Sequence, residues 1–464
     1  MKKLMAAWRC SHFEPVKSFD GRLVQATVER ILPGGLGLAH ADDRTMMIGL
    51  AAPGDLVRVR VDRVKGSVVF ASIEEIISPS EARVEPPCPY FGRCGGCDFQ
   101  QLSYEAQLQA KKEIIRDCLR RIGGLENIPD FQIRPAPNQW HYRARAQWQY
   151  DSIRKRLGYF ESGSRRVCDV AECAVLTPQL QQTLEKLRAE MNDGLLPDDA
   201  RHFRAVLGDD NVSITSDSVK RPTNRAQTAS PRGAVHPKTN FDSNARDVTR
   251  MIDGERYRFN AQSFFQTNTD LLSEMIDAAL GHASGRTAVE LYCGVGLFTL
   301  PLARKFLRVT AVEDDAAAAT LARENLSDAD LPNADIVNRD VADWLEANFE
   351  SIGGDAALDR LPQGERSHRP AQDAGTQSRI VGGVLEELDF LLLDPPRTGA
   401  ESRVINGIVK LKPQRICYVS CDPATLARDL KKLLAGGYDL KSLAALDMFP
   451  QTHHVETVVH LIRS

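Results

Sequence analysis

The stretch Ala288-Val-Glu-Leu-Tyr-Cys-Gly-Val-Gly-Leu-Phe-Thr299 decides how the second half of this chain folds. A short apolar run with strand character enters a turn that holds Gly294 and Gly296, and a helical pattern leaves it. Glycine lets the backbone bend sharply and come close to a ligand, so the stretch reads as the first crossover of a parallel sheet. Outward from it the alternation recurs. Val309 to Val312, Asp335 to Val337, Phe390 to Leu393 and Ile416 to Ser420 are strand-like and separated by helical spacing, and Ser442 to Leu446 and Val455 to Ile462 follow. From about Leu271 onward this predicts an α/β domain with an open, mostly parallel sheet covered on both faces.

Ligands in such sheets bind beyond the carboxyl ends of the strands, and the unusual residues sit there. Glu313 ends the second strand, 17 residues past Gly296, where a carboxylate suits ribose hydroxyls. Thr299 replaces the third glycine of a dinucleotide fingerprint, which disfavours NAD. S-adenosylmethionine has no pyrophosphate and does not need that glycine. Asp340 follows the third strand and is placed either to reach the adenine side or to cap a helix.

The fourth strand delivers Asp394-Pro-Pro-Arg397 and the fifth delivers Ser420-Cys-Asp-Pro423. Carbon 5 of uracil is a poor nucleophile, and its methylation is easiest if a thiolate first adds to carbon 6. Cys421 fits that role; the alternative is a small buried hydrophobe. A base must then remove the proton from carbon 5. Glu456, entering the last strand, is the candidate, against a salt-bridged strand carboxylate and against the neighbouring His453 and His454.

Ahead of this domain, residues 20–76 alternate apolar and polar positions between breaks at Gly34-Gly35, Gly37 and Pro53-Gly54, which predicts a small antiparallel barrel. A linker over Pro79 to Pro87 and a helix over Gln101 to Ile122, stopped by Gly123-Gly124, come next. Cys88-x5-Cys94-x2-Cys97, with glycines at 92, 95 and 96, has metal-loop spacing. Cys173 or Cys168 would be the fourth ligand, and four thiolates suit zinc or an iron–sulfur cluster. From Trp140 to Val167, seven Arg and Lys residues stand against two acids and interleave with Trp140, Tyr142, Trp148, Tyr150, Tyr159 and Phe160. That alternation suits phosphate contacts with base stacking, or a sheet with aromatics inward and arginines outward. Thr215 to Arg246 and Gly353 to Gly383 have too little apolar content to offset their ordering entropy and read as insertions.

The whole chain of 464 residues suggests three domains: 1–78, 79–262 and 263–464. Its net charge of -3 means that any nucleic-acid binding rests on local basic patches. No run approaches the ~20 apolar residues needed to span a bilayer. A secretory h-region is also missing at the N-terminus, so a cytoplasmic monomer without membrane contact is expected. Ten cysteines then point to metal binding or catalysis rather than crosslinks.

Together, Phe264-Phe265-Gln266, Glu290-Leu-Tyr-Cys-Gly-Val-Gly, Asp394-Pro-Pro-Arg, Ser420-Cys-Asp-Pro-Ala-Thr-Leu-Ala-Arg and Asp447-Met-Phe-Pro closely resemble the bacterial RNA 5-methyluridine methyltransferase family. The resemblance covers nearly the whole chain outside the two insertions. It implies a Rossmann-like methyltransferase domain, S-adenosylmethionine held by Gln266, Tyr292, Glu313 and Asp394, Cys421 as nucleophile and Glu456 as base. A small central domain would carry a 4Fe-4S cluster on Cys88, Cys94, Cys97 and Cys173. The N-terminal barrel, with Gly34-Gly-Leu-Gly-Leu-Ala39, resembles the TRAM domain, an oligonucleotide-binding-type barrel. The implied partner is RNA, 23S rRNA ahead of tRNA. Asp422 stands where the family usually has Asn. The alternatives are an RNA cytosine-5-methyltransferase, whose second cysteine is replaced here by Arg397, and a non-catalytic RNA-binding iron–sulfur protein. Radical S-adenosylmethionine enzymes typically space three cysteines x3, x2, unlike this chain.

Overall fold

A computed structural model describes residues 21–218, 245–350 and 388–464. These divide into two compact units, one running to Ile114 and including Gln451–His453, the other holding the remainder. The division at Ile114 lies inside a helix, so residues 79–114 of the central segment group with the barrel and its remainder groups with the α/β segment.

In the first unit, β1 (Leu23–Ile31), β2 (Gly37–Ala41), β3 (Arg44–Ile48), β4 (Leu56–Lys65) and β5 (Val68–Ser78) close a barrel in the order β1-β2-β3-β5-β4. Alternate residues point inward, so Val28, Ala39, Met46, Ile48, Val57, Val59 and Val69 fill the core. Gly37 was expected to break a strand, yet it opens β2. A Cβ there would stand 2.7 Å from the Ala51 Cβ, so the glycine serves close packing and not a turn. The buried Asp55 carboxylate accepts from the backbone of Ala52 and Ser80 and pairs with Arg83 at 2.6 Å, which ties the following segment to the barrel. Helix α1 (Tyr104–Cys118) continues through a widened turn over Leu119–Gly123 and stops at Gly124, whose φ of 72° is left-handed.

The second unit contains two sheets and a hairpin. The short β6 (Ile133–Arg134) joins the larger sheet; β7 (Arg145–Asp151), β8 (Arg156–Phe160), β9 (Val167–Asp169), β10 (Ala200–Leu207) and β11 (Val212–Ser218) form the other, in the order β11-β10-β7-β8-β9. Helix α2 (Pro178–Asn192) lays Leu180, Leu184, Leu187 and Met191 over Trp148, Leu157 and Phe203 on one face of that sheet. The first predicted insertion therefore starts too early: Thr215 is buried and pairs with Arg204 in the ladder. Its remainder over 219–244, and the second insertion over 353–383, lie outside the described residues. The hairpin of β12 (Val248–Ile252) and β13 (Glu255–Phe259) precedes helix α3 (Leu272–Leu280).

Thereafter strand and helix alternate as expected: β14 (Gly285–Leu291), α4 (Thr299–Lys305), β15 (Phe306–Glu313), α5 (Ala316–Asp328), β16 (Ala334–Asn338), α6 (Val341–Glu350), β17 (Phe390–Leu393), α7 (Ser402–Leu411), β18 (Arg415–Ser420), α8 (Pro423–Ala435), β19 (Tyr438–Leu446) and β20 (Glu456–Arg463). The sheet order is β16-β15-β14-β17-β18-β20-β19-β6. Strands β14 to β18 are parallel and β20 runs against β18, so the start of β20 lies beside the carboxyl end of β18. No helix among the described residues is long and apolar enough to cross a membrane.

Candidate active site

At the end of β14 the chain must leave the sheet within a few residues. Tyr292 takes a left-handed φ of 66°, and the backbone N–H groups of Tyr292 and Cys293 both donate to the Val312 carbonyl, at 2.9 and 3.1 Å. Gly294 and Gly296, with φ of 55° and 92°, complete the turn. A Cβ at Gly294 would meet nothing within 4 Å, so this side of the turn is open to a ligand. Glu313, at the tip of β15, accepts from the backbone of Gly294 at 2.8 Å and of Asp315 at 2.9 Å. Burial pushes its carboxyl up to about 7, against the pull of those two hydrogen bonds.

Glu290 was quoted in the sequence only as part of a motif. It is buried in β14, accepts from Thr299 Oγ1 at 2.6 Å, and burial pushes it up to about 8. A carboxylate inside an apolar strand is the signal that marks it. Asp394, at the end of the adjacent β17, is pushed by burial to about 7. The three neighbouring strands β15, β14 and β17 thus each carry one carboxyl whose proton affinity burial raises. Gln266 is buried and Tyr292 half-buried, with burial holding the phenol above its ordinary range. Asp340 is exposed and caps α6, accepting from the backbone of Ala342 and Asp343 at 3.0 Å each, with Arg403 at 3.4 Å. The helix-cap role is therefore present in the geometry.

Strand order gathers the second group. Ser420 pairs with Thr457 at the end of the β18–β20 ladder, and Cys421 and Glu456 are the next residues at that end. Asp394 ends β17 on the other side of β18. Glu456 is buried, and burial followed by the nearby Asp394 holds its carboxyl well above the ordinary range while Arg397 pulls the other way. Cys421 is half-buried; burial, then Glu456, push its thiol up to about 12, and Arg397 again opposes. Arg397 is thus the cation common to both groups. Its Nη1 lies 3.5 Å from His454 Nε2, and its guanidinium carbon lies 5.9 Å from the centre of the Phe449 ring. Sequence reading used Arg397 to weigh against a cytosine-5-methyltransferase and gave it no role in this site.

The two histidines separate. The His453 backbone N–H donates to Asp98 Oδ1 at 2.9 Å and its ring Nδ1 lies 2.5 Å from Asp98 Oδ2, inside the first unit. His454 instead packs edge-on against Phe449, ring centres 6.0 Å apart, beside Arg397. Asp422 caps α8, its Oδ1 accepting from the backbone of Ala424 and Thr425 at 2.9 Å each. An Asn would offer the same oxygen, so the departure from the family pattern leaves the cap intact.

Cys88, Cys94 and Cys97 are half-buried on one loop, turned by Gly92 at a φ of 80° and by a 2.8 Å bond from the Cys94 N–H to the Tyr90 carbonyl. Cys173 is half-buried with its N–H donating to Gln181 Oε1 at 3.0 Å, whereas Cys168 is buried in β9. The thiol set has the right chemistry for a cluster. Among the described residues, however, no group of three or more His, Cys, Asp or Glu side chains is arranged to hold a metal ion.

A family model described as tRNA (Uracil-5-)-methyltransferase matches residues 237–352 and 371–464. A 23S rRNA (uracil(1939)-C(5))-methyltransferase RlmD of Alkalilimnicola ehrlichii is 32% identical, with 91% of this chain and 93% of the relative covered. Its namesake in Vibrio parahaemolyticus is 30% identical over 96% of this chain and 98% of that one. Among solved structures, the tRNA (uracil-54, C5)-methyltransferase of Pyrococcus abyssi, in complex with S-adenosyl-L-homocysteine, superimposes with a TM-score of 0.65 at 22% identity, covering 95% of this chain and all of the other. That likeness is one of fold.

Proposed function

Because this chain belongs to the RNA uracil-5-methyltransferase family, we propose that it methylates carbon 5 of one uridine in 23S rRNA through a covalent adduct with Cys421. The observation that carries the chemistry is the meeting of Cys421, Glu456 and Asp394 at the ends of three adjacent strands. The 23S target is supported by relatives that bear that name and align along nearly their full length. A cytoplasmic site of action belongs to the same reading.

S-adenosylmethionine supplies an electrophilic methyl group. Gln266, Tyr292, Glu313, Asp340 and Asp394 would hold it, and the open turn at Gly294 gives it room. Cys421, as thiolate, bonds to carbon 6 of uracil, and the electron pair of the 5,6 double bond shifts toward carbon 5 and oxygen 4. Arg397 offsets the negative charge that this step brings to the pocket. Carbon 5 then bonds to the methyl carbon, whose bonding pair stays on the departing sulfur. Glu456 takes the proton from carbon 5, the double bond re-forms, and the Cys421 thiolate leaves. A buried carboxylate with raised proton affinity is a stronger base for this carbon-bound proton than an exposed one.

The test is incubation with S-adenosylmethionine bearing a labelled methyl group and separate rRNA and tRNA pools, followed by nucleoside mass spectrometry. Labelled 5-methyluridine in 23S rRNA is expected. Label in tRNA would move the target, and 5-methylcytidine would replace the reaction with the cytosine alternative.

A 4Fe-4S cluster on Cys88, Cys94, Cys97 and Cys173, beside a TRAM-type barrel, is part of the same proposal, supported by the x5, x2 spacing and the tight loop. No reaction step is assigned to it. Anaerobically purified protein is expected to be brown, with about four iron and four sulfide per chain for a 4Fe-4S cluster. Cys173→Ser is expected to lose the iron. One zinc and no sulfide would remove the cluster, and iron retained by Cys173→Ser would transfer the fourth position to Cys168.

A further inference from the structure

The basic and aromatic residues between Trp140 and Val167 sort onto opposite faces of the five-stranded sheet. Trp148 is fully buried against α2 with Leu157 and Phe203, Tyr150 and Tyr159 pack against the same core, and Tyr142 is buried with its hydroxyl donating to the Pro450 carbonyl. These aromatic rings are structural. Strand alternation and register put Arg145, Gln147 and Gln149 of β7, Arg156, Gly158 and Phe160 of β8, and His202 and Arg204 of β10 on the other face. Toward β11 this face is closed, with Val206, Ser213 and Thr215 buried and Val206 in the core that holds Val248 and Ile252, whereas Gln147 of β7 and Phe160 of β8 are exposed.

Phe160 is 41% exposed on that face. Arg145, at the start of β7, donates to the Ser263 carbonyl at 2.5 Å and lies 5.5 Å from the centre of the Phe264 ring. Phe264 is 59% exposed, while Phe265 and Gln266 beside it in the chain are buried. Arg204 has a carboxylate partner, Asp217, at 2.8 Å, which also holds His202 at 2.7 Å. Arg145 has none among the described residues, although its guanidinium is largely enclosed and Arg204 is close enough to repel it. An enclosed cation without an anion, backing an exposed ring, is costly to the protein alone. It is suited to a ligand that brings a π-face and a negative charge together.

We propose that this polar face, from Phe160 across Gln147 and Arg145 to Phe264, binds unpaired nucleotides of the RNA substrate, with Phe264 stacking a base and Arg145 meeting a phosphate. A sheet face with exposed aromatic rings between arginines and glutamines reads single strands rather than duplex, because only unstacked bases offer their faces. The proposal rests on the RNA-methyltransferase reading for its substrate class. It places recognition of the unpaired strand immediately before the cofactor-binding Gln266, so the ring that holds RNA and the amide proposed to hold the cofactor share one short segment.

The experiment uses the full chain and two fluorescein-labelled probes, a single-stranded twelve-nucleotide oligouridylate and a mixed-sequence A-form RNA duplex, read by anisotropy. Phe264→Ala is expected to weaken oligouridylate binding roughly tenfold, the usual worth of one stacked base. Phe264→Tyr, which keeps the ring, is expected to bind as wild type, and Phe160→Ala to show a smaller loss. Duplex binding should change little in any of them. Leu307→Ala, at a residue 71% exposed on β15 and outside this face, is the control. S-adenosylmethionine affinity is measured on each variant by calorimetry and should stay at the wild-type value. Unchanged oligouridylate affinity in Phe264→Ala overturns the proposal. So does an equal loss of cofactor affinity, which would make Phe264 a packing residue of the Gln266 segment. Because binding is read without turnover, absence of labelled 5-methyluridine with wild-type protein would count against the reaction and not against this surface.

Discussion

Cys421→Ala is expected to lower RNA methylation by on the order of 10⁴-fold or more, while S-adenosylmethionine binding persists. The size follows from the order of steps. Without a sulfur bonded to carbon 6, carbon 5 has no enolate character, and the methyl group has nothing to react with. Nucleophile and base act as one unit, so losing the first makes the second useless. Burial and the adjacent Glu456 push the thiol up to about 12, which favours its protonated form before substrate binds. Bound substrate and Arg397 must therefore help the proton leave. Label transfer into RNA and cofactor calorimetry on the same preparation check both halves of the expectation. Appreciable 5-methyluridine from Cys421→Ala would show that the reaction does not pass through a sulfur adduct.

Glu456→Gln is expected to do the opposite of a clean loss. It should form the Cys421–carbon 6 bond, accept the methyl group on carbon 5, and then stop, because the amide cannot take the carbon-bound proton. Turnover should fall by about 10²- to 10⁴-fold, the usual share of a positioned base. A denaturant-stable protein–RNA adduct carrying the methyl label should accumulate. Glutamine has nearly the shape of glutamate and, like the carboxyl that burial favours in its neutral form, carries no charge to bury, so the variant is expected to fold. A denaturing gel with label in the RNA or in the cofactor, and mass spectrometry of the crosslinked peptide, read the result. Normal turnover would place the base elsewhere. His454, beside Arg397, would then be tested next, ahead of His453, whose ring is engaged with Asp98.

Much of this architecture was legible because periodicity and glycine placement are local properties. The strand at Phe390–Leu393 was found in full, and most other strands of the α/β sheet to within a few residues. Helix α1 is shorter than its apolar spacing suggested, because Ser103 begins it and the widened turn ends it. Gly37 misled because glycine marks both turns and close approaches, and only the position of Ala51, distant in sequence, tells which. Trp148 and Phe264 were undecided in complementary ways. A tryptophan among arginines could be a stacking platform or an inward-facing ring, and packing makes it core, while Phe264, counted only within a motif, is the ring that reaches solvent.

What the sequence by itself determined was the inventory: which strand tips carry Glu313, Asp394, Cys421 and Glu456, and the spacing of Cys88, Cys94 and Cys97. These follow from short-range patterns, since a strand end is set by the residues that form it. Tertiary structure alone decided which tips become neighbours. The insertion of β20 antiparallel beside β18 brings Glu456 next to Cys421 across 35 residues of chain, and no local signal encodes that pairing. The same packing decides burial, and burial is the largest influence raising the proton affinity of Glu290, Asp394, Glu456 and Cys421. A side chain's type states what proton it can carry; the dielectric around it, fixed only when distant segments close over it, states when it will give that proton up.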